Sequence, residues 1–269
     1  MIGQTTRALC ATLALAATHA SAADLSFVRS FEMPGPSGLA YDERLCALWV
    51  ANETREVVLV NLWGDEVLRF TSDLTRVDAV AMVGDHLLLS DGNANFQKVG
   101  RDGVAVAKPF RMPVGYGDTD GLYFDEATGE YWITDDSIRA VFRVDAGGTV
   151  RQTLGGATMT PPMLEPQGVT RDPVSGHLLV VDDADASDSL FEFDAQGRLL
   201  DVLPLARDGM RDAEGISIQP DTSTLFVAYD EGDTVAVFQY YPTATPLPAK
   251  NPEPGNCLIS GFPSPYPPV

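Results

Sequence analysis

The chain has 269 residues, of which 18 are Lys or Arg and 38 are Asp or Glu, a formal charge of −20 at pH 7. Hydrophobic residues make up 45% of it, as in an ordinary packed protein, which argues against wholesale disorder. A balance this acidic argues against nucleic acid and anionic membranes as partners, since both are bound through Lys/Arg patches, and it favours cations.

Residues 1–22 read as a secretory signal peptide. Arg7 supplies a short positive start, Ala8 to Ala17 form an apolar stretch too short to span a bilayer, and Ala20-Ser21-Ala22 is a small-x-small cleavage site. A periplasmic or secreted protein is expected, and no later stretch approaches 18 apolar residues. Loss of Arg7 leaves 17 basic against 38 acidic residues, or −21. Cys10 departs with the peptide. Cys46 and Cys257 remain, an even pair in an oxidising compartment, and are expected to form a disulfide.

From residue 24 onward the sequence repeats. Five segments open with a short strand anchored at positions 38, 79, 121, 168 and 215, spaced 41, 42, 47 and 47 residues apart. A turn rich in Asp, Pro and Gly follows, as in Asp172-Pro173-Val174-Ser175-Gly176. Next comes an apolar strand with a polar end, such as Tyr131-Trp132-Ile133-Thr134-Asp135 or Leu178-Leu179-Val180-Val181-Asp182. A third strand alternates with period two, clearest in Leu190-Phe191-Glu192-Phe193-Asp194, and a fourth follows a Gly-containing turn.

Four short strands per 40–50 residues predict a β-propeller. The fifth unit stops after its third strand, Val235 to Tyr240, and its missing fourth strand is expected from Leu25 to Phe31 at the other end of the mature chain. The expectation is an all-β protein: a five-bladed propeller over 23–242, closed by an N-terminal strand, with six blades as the alternative. The tail, 243–269, is Pro-rich and expected to be extended. Trp49 and Trp132, on second strands, are expected to be core between blades, and the loop 154–167 to be a movable rim.

The repeat text resembles that of NHL-like propellers and, more closely, the bacterial SdiA-regulated propeller family. The residues that carry the likeness are Pro36-Ser37-Gly38-Leu39-Ala40-Tyr41-Asp42, Pro166-Gln167-Gly168-Val169-Thr170, Asp212-Ala213-Glu214-Gly215-Ile216 and Leu190 to Gly197. Blade 2 departs from the pattern with Asp78-Ala79. The resemblance implies the fold over most of 24–241 but no reaction. Some related six-bladed propellers are calcium-dependent lactonases and esterases, a likeness of fold only.

Propeller connectivity sorts the polar residues by face. Loops entering first strands and leaving second strands share the top; the remaining turns lie at the bottom. The residue before each anchor, Ser37, Asp78, Asp120, Gln167 and Glu214, is expected near the axis at the top. Asn52, Asp91, Asp135, Asp182 and Asp230, at the second-strand ends, are expected further out, with Asp118 and Asp212 nearby. Converging carboxylates repel, which raises their pKa values or demands a cation, and Ca²⁺ suits a mix of carboxylate and amide oxygens. Asp78, Asp120, Glu214 and Gln167 are the candidate metal ligands. The alternative is that each acid hydrogen-bonds backbone N–H groups of a neighbouring blade and the channel holds water.

His86 and His177 both precede second strands and fall on the bottom face, which argues against a His-based triad or zinc site at the top. No GxSxG, HExxH or phosphate-binding loop occurs. Met33, Met112, Met159, Met163 and Met210 fall in top-face loops and read as adaptable apolar lining of a pocket rim, with copper ligation as the sharper alternative. The leading expectation is an exported propeller binding a cation, Ca²⁺ by its donor set, and a small ligand at its top face. A calcium-dependent lactonase or esterase using Glu214 and Asp120 is the alternative, and a protein-interaction scaffold a third.

Overall fold

The computed structural model describes residues 22–112, 118–184, 187–220 and 222–243. The expected signal peptide (but for Ala22), the Pro-rich tail beyond Thr243 and Cys257, hence the expected Cys46–Cys257 disulfide, lie outside the described residues. Among the described residues no helix is long and apolar enough to cross a membrane.

The N-terminal strand β1 (Asp24–Glu32) precedes the first blade, β2 (Leu39–Asp42), β3 (Ala47–Ala51), β4 (Glu56–Asn61) and β5 (Glu66–Thr71). The second blade holds β6 (Ala79–Val83), β7 (His86–Ser90), β8 (Asn95–Gly100) and β9 (Phe110–Arg111). The third holds β10 (Leu122–Asp125), β11 (Glu130–Asp135), β12 (Ala140–Val144) and β13 (Val150–Gly155). The fourth holds β14 (Pro166–Arg171), β15 (Leu178–Asp182), β16 (Ser189–Phe193) and β17 (Leu199–Pro204). The last has β18 (Arg211–Gln219), β19 (Thr224–Glu231) and β20 (Thr234–Tyr241), and β1 pairs antiparallel with β20 as its fourth strand. Each blade is one four-stranded sheet, and five blades exclude the six-bladed alternative.

Strand composition follows depth. The second strands are apolar on both sides because each is covered by a neighbouring blade on either face: β3 is wholly buried, whereas β5, at the rim, alternates between half-buried and exposed. Five apolar clusters fill the spaces between blades. Between the first and second blades Trp49 is fully buried, its ring edge-on to Phe70, and its indole N–H donates to Asp42 Oδ2 at 3.2 Å. Between the last and the first, Tyr41 stacks on Phe226. Phe27 of β1 meets Phe238 of β20 edge-to-face.

At the anchor positions the inner strands nearly touch. A Cβ on Gly121 would lie 2.0 Å from the carbonyl oxygen of Gln167, and one on Gly215 would lie 1.9 Å from that of Ser37. Gly38 and Gly168 meet the following blade in the same way. The recurring glycine is therefore a collar: each blade's backbone abuts the next where the ring is tightest. Below it, an aspartate closes the turn after the first strand. Asp42 accepts the backbone N–H groups of Arg44 and Leu45, Asp125 that of Ala127, and Asp172 those of Val174 and Ser175. Much of the negative charge is thus turn chemistry on the bottom face.

The segment 154–167, expected as a movable rim, contains a 3₁₀ turn at Gly156–Thr158; the Gly156 N–H donates to Arg139 O at 2.7 Å and Met163 is fully buried, while Thr160, Pro161 and Pro162 are exposed. The methionines are packing residues, with Met33, Met112 and Met163 buried and Met159 and Met210 packed on apolar clusters.

Candidate functional site

Two carboxylate triads form on the top face. Asp183, Asp212 and Glu214 each offer an oxygen within 4.8 Å of the others, and Asp118, Asp120 and Asp136 do the same. All six side chains are half-buried. Asp118 and Asp120 enter β10, Asp136 leaves β11, Asp183 leaves β15, and Asp212 and Glu214 lie in the first part of β18.

Backbone irregularity aims these groups. The register of β18 on β19 slips between Ala213 and Ile216, and that of β14 on β15 slips between Pro166 and Val169. Each slip is a bulge that holds a collar pair, Glu214-Gly215 or Gln167-Gly168, and turns the residue before the glycine out of the regular alternation. Asp212 adds a left-handed backbone, φ 62°. Gln167 then brings its amide to 3.5 Å from Asp183 Oδ2.

The electrostatics follow from crowding under partial burial. Burial first, then Asp183 and Asp212, pushes Glu214 up to about 9. Asp120 is raised to about 8 by burial and then by Asp118 and Asp136. Asp183 is raised to about 8 by burial and by its hydrogen bond with Asp212, and Asp136 to about 6 by burial and by its bond with Asp118. Asp120 also acts on Glu214, so the two triads feel one another. Asp78 stands apart: Arg76 donates to its Oδ1, yet burial still lifts it to about 6. Arg76 also lies 3.5 Å from Glu53. Among the described residues, Asp78 Oδ2 and Asp183 Oδ1 are buried without a hydrogen-bond partner.

Of the expected ligands, Glu214 and Asp120 enter separate triads, Gln167 borders the first, and Asp78 is held by Arg76. Asp118 and Asp212, expected nearby, are full members. The acids at second-strand ends are not. Asp91 accepts the N–H groups of Asn93 and Asn95, Asp135 bonds Ser137 and the N–H of Ile138, and Asp182 accepts those of Leu164, Glu165 and Ala184. These three acids bond backbone N–H groups of their own blade's loops rather than of a neighbouring blade. Asn52 likewise bonds the Thr54 hydroxyl, at 2.7 Å.

The residues that sequence reasoning missed are the next ones along, Asp136 and Asp183, with Glu53 in the same position in the first blade. Their signal is the acidic doublet, Asp135-Asp136 and Asp182-Asp183. Successive side chains at a strand end point to opposite sides, so when the first acid closes its turn the second is free to face the axis.

The molecule is thus a five-bladed β-propeller with a partly buried acidic centre on one face. The sequence matches no protein-family model and no curated protein, so its resemblance to the SdiA-regulated family goes no further than the fold. Among solved structures it is similar to glutaminyl cyclase of Myxococcus xanthus, with a TM-score of 0.63 at 10% identity over 80% of this chain and 96% of that one. A luciferin-regenerating enzyme superposes with a TM-score of 0.53 at 11% identity, covering 81% and 95%. These neighbours are enzymes; at such identities the likeness is one of fold.

Proposed function

We propose that this propeller is an exported protein that binds a divalent cation, calcium by the chemistry of its donors, at the top-face acidic centre. The observation that carries the reading is the triad Asp183, Asp212 and Glu214, converging within 4.8 Å with Asp183 Oδ1 buried and unpartnered. Three carboxylates this close either hold protons or share a cation, and an oxygen-only set with the Gln167 amide beside it suits a hard ion. The bulges in β14 and β18 support the same reading, since they direct Gln167 and Glu214 away from the regular pleat.

The test is calcium titration by calorimetry, with melting curves in EDTA and in excess Ca²⁺. At a hundredfold excess over Kd, binding contributes about 2.7 kcal/mol, roughly 5–10 °C for a domain of this size. Glu214→Gln should abolish both the heat and the shift. No heat and identical melting in EDTA and calcium would overturn the reading.

The second triad favours a further reading, a calcium-dependent lactonase or esterase. Asp120, raised to about 8, lies in electrostatic reach of Glu214 and suits a general base. A water adding to the ester carbonyl would give its proton to Asp120, and that proton would return to the departing alkoxide. A calcium ion would polarise the carbonyl. Turnover of an ester and lactone panel that is lost in Asp120→Asn, with calcium binding retained, would support this reading. No turnover by the calcium-loaded protein on that panel counts against it.

A further inference from the structure

Beneath the glycine collar the propeller encloses a cavity of about 570 Å³ that opens among the bottom turns, on the opposite face from the acidic centre. Its upper wall consists of the residues that follow the anchors, Leu39, Val80, Leu122, Val169 and Ile216. One layer lower, the first two blades contribute only methyls, Ala40 and Ala81, while the other three bring hydroxyls, Tyr123, Thr170 and Ser217. At this depth the shaft is lopsided: roomy and apolar on one side, hydroxyl-bearing on the other, where Ser217 Oγ also accepts the Tyr41 N–H at 2.8 Å. Below these, Met82, Phe124 and Ile218 add apolar wall, with Tyr41 and Arg171 at the same level.

Charge appears only toward the mouth, and it is already matched. Arg101 donates to Asp42 at 2.6 Å and to Asp85 at 2.8 Å, Arg44 lies 3.4 Å from Asp85, and Arg171 donates to Asp125 at 2.5 Å. Glu43 and Glu126 add further negative charge to the lining. Among the described lining residues, an anion entering the mouth would meet an excess of carboxylate and no arginine without an acid partner, so the electrostatics select against it.

From this arrangement we infer that the shaft is a second binding site, for a neutral and largely apolar small molecule bearing one hydrogen-bonding group at the depth of Tyr123, Thr170 and Ser217. The volume is in the range of small-molecule pockets, and the wall is somewhat more apolar than polar. The inference does not depend on a cation at the top face.

Two dyes with one skeleton test it, both titrated into the full chain in EDTA so that the outcome is independent of calcium. N-phenyl-1-naphthylamine is neutral; 8-anilino-1-naphthalenesulfonate adds a single sulfonate. The expected result is saturable one-to-one fluorescence enhancement by the neutral dye, with the sulfonate binding at least tenfold more weakly. Met82→Trp, which fills the shaft, should weaken the neutral dye at least tenfold. Tyr123→Phe, which keeps the shape and removes a hydroxyl, should weaken it about threefold; melting curves establish that each variant is folded. The inference is overturned if the neutral dye does not saturate, if the sulfonate binds equally well, or if the folded variants retain wild-type affinity.

Discussion

Gly215 and the carbonyl oxygen of Ser37 meet where the last blade closes on the first: a Cβ at 215 would stand 1.9 Å from that oxygen. The offending atom is backbone, so no side chain can swing aside. Gly215→Ala must push two inner strands apart and is expected to cost about 3 kcal/mol. Gly155→Ala is the control, because nothing lies within 4 Å of its Cβ position and its φ of −86° is ordinary, and it should be neutral within about 0.5 kcal/mol. Urea denaturation of both variants gives the comparison; equal stabilities would contradict the collar.

The same closure depends on β1. Its pairing with β20 runs from Asp24 to Glu32, with one irregularity between Phe27 and Arg29. A chain lacking residues 24–32 would leave the β20 edge unpaired, and it should aggregate or melt far below the intact protein. Size-exclusion chromatography with light scattering is the readout, and a stable monomer would show that closure is supplied elsewhere.

The pH dependence has a definite sign. Glu214 is raised to about 9 and Asp120 and Asp183 to about 8, each first by burial, while an unfolded carboxyl titrates near pH 4. Between those limits the folded form holds more protons than the unfolded one. Their contribution to stability is complete below about pH 4 and is lost as pH rises through 8 to 9. In EDTA the melting temperature should therefore fall from pH 6 to pH 9. Calcium, which takes the deprotonated carboxylates, should restore it most at the alkaline end. A melting temperature in EDTA that stays level or rises over that range would refute the assignment.

Glu192 is fully buried and gathers four contacts: His177 Nδ1 at 2.7 Å, the Tyr240 hydroxyl at 2.5 Å, the Thr243 N–H at 2.9 Å and the Thr243 hydroxyl. It ties β16 to β20 and to the residues after it, which also places His177 in a structural role. Glu192→Ala leaves the buried tyrosine hydroxyl without its acceptor and should cost about 3 kcal/mol, read by thermal or urea unfolding. A loss below about 1 kcal/mol would mean that water replaces the carboxylate.

The sequence alone determined the architecture. Apolar second strands, alternating third strands and a glycine at four of the five inner-strand anchors recur because every blade solves the same packing problem, and the missing strand of the last repeat pointed to the N-terminus. It also marked Glu214, Asp120, Asp118 and Asp212 as top-face acids, since their place in the repeat fixes their face. What only the tertiary structure decided was which acids are spent on turns. Asp135 and Asp136 are chemically alike and adjacent, yet one bonds Ser137 and the Ile138 N–H while the other joins a triad. That difference comes from side-chain alternation at a strand end, and the bulges that turn Glu214 and Gln167 leave no mark in composition. The charge of −20 is thus divided between turns that hold the blades and a centre where carboxylates crowd, a division that exists only once the ring has closed.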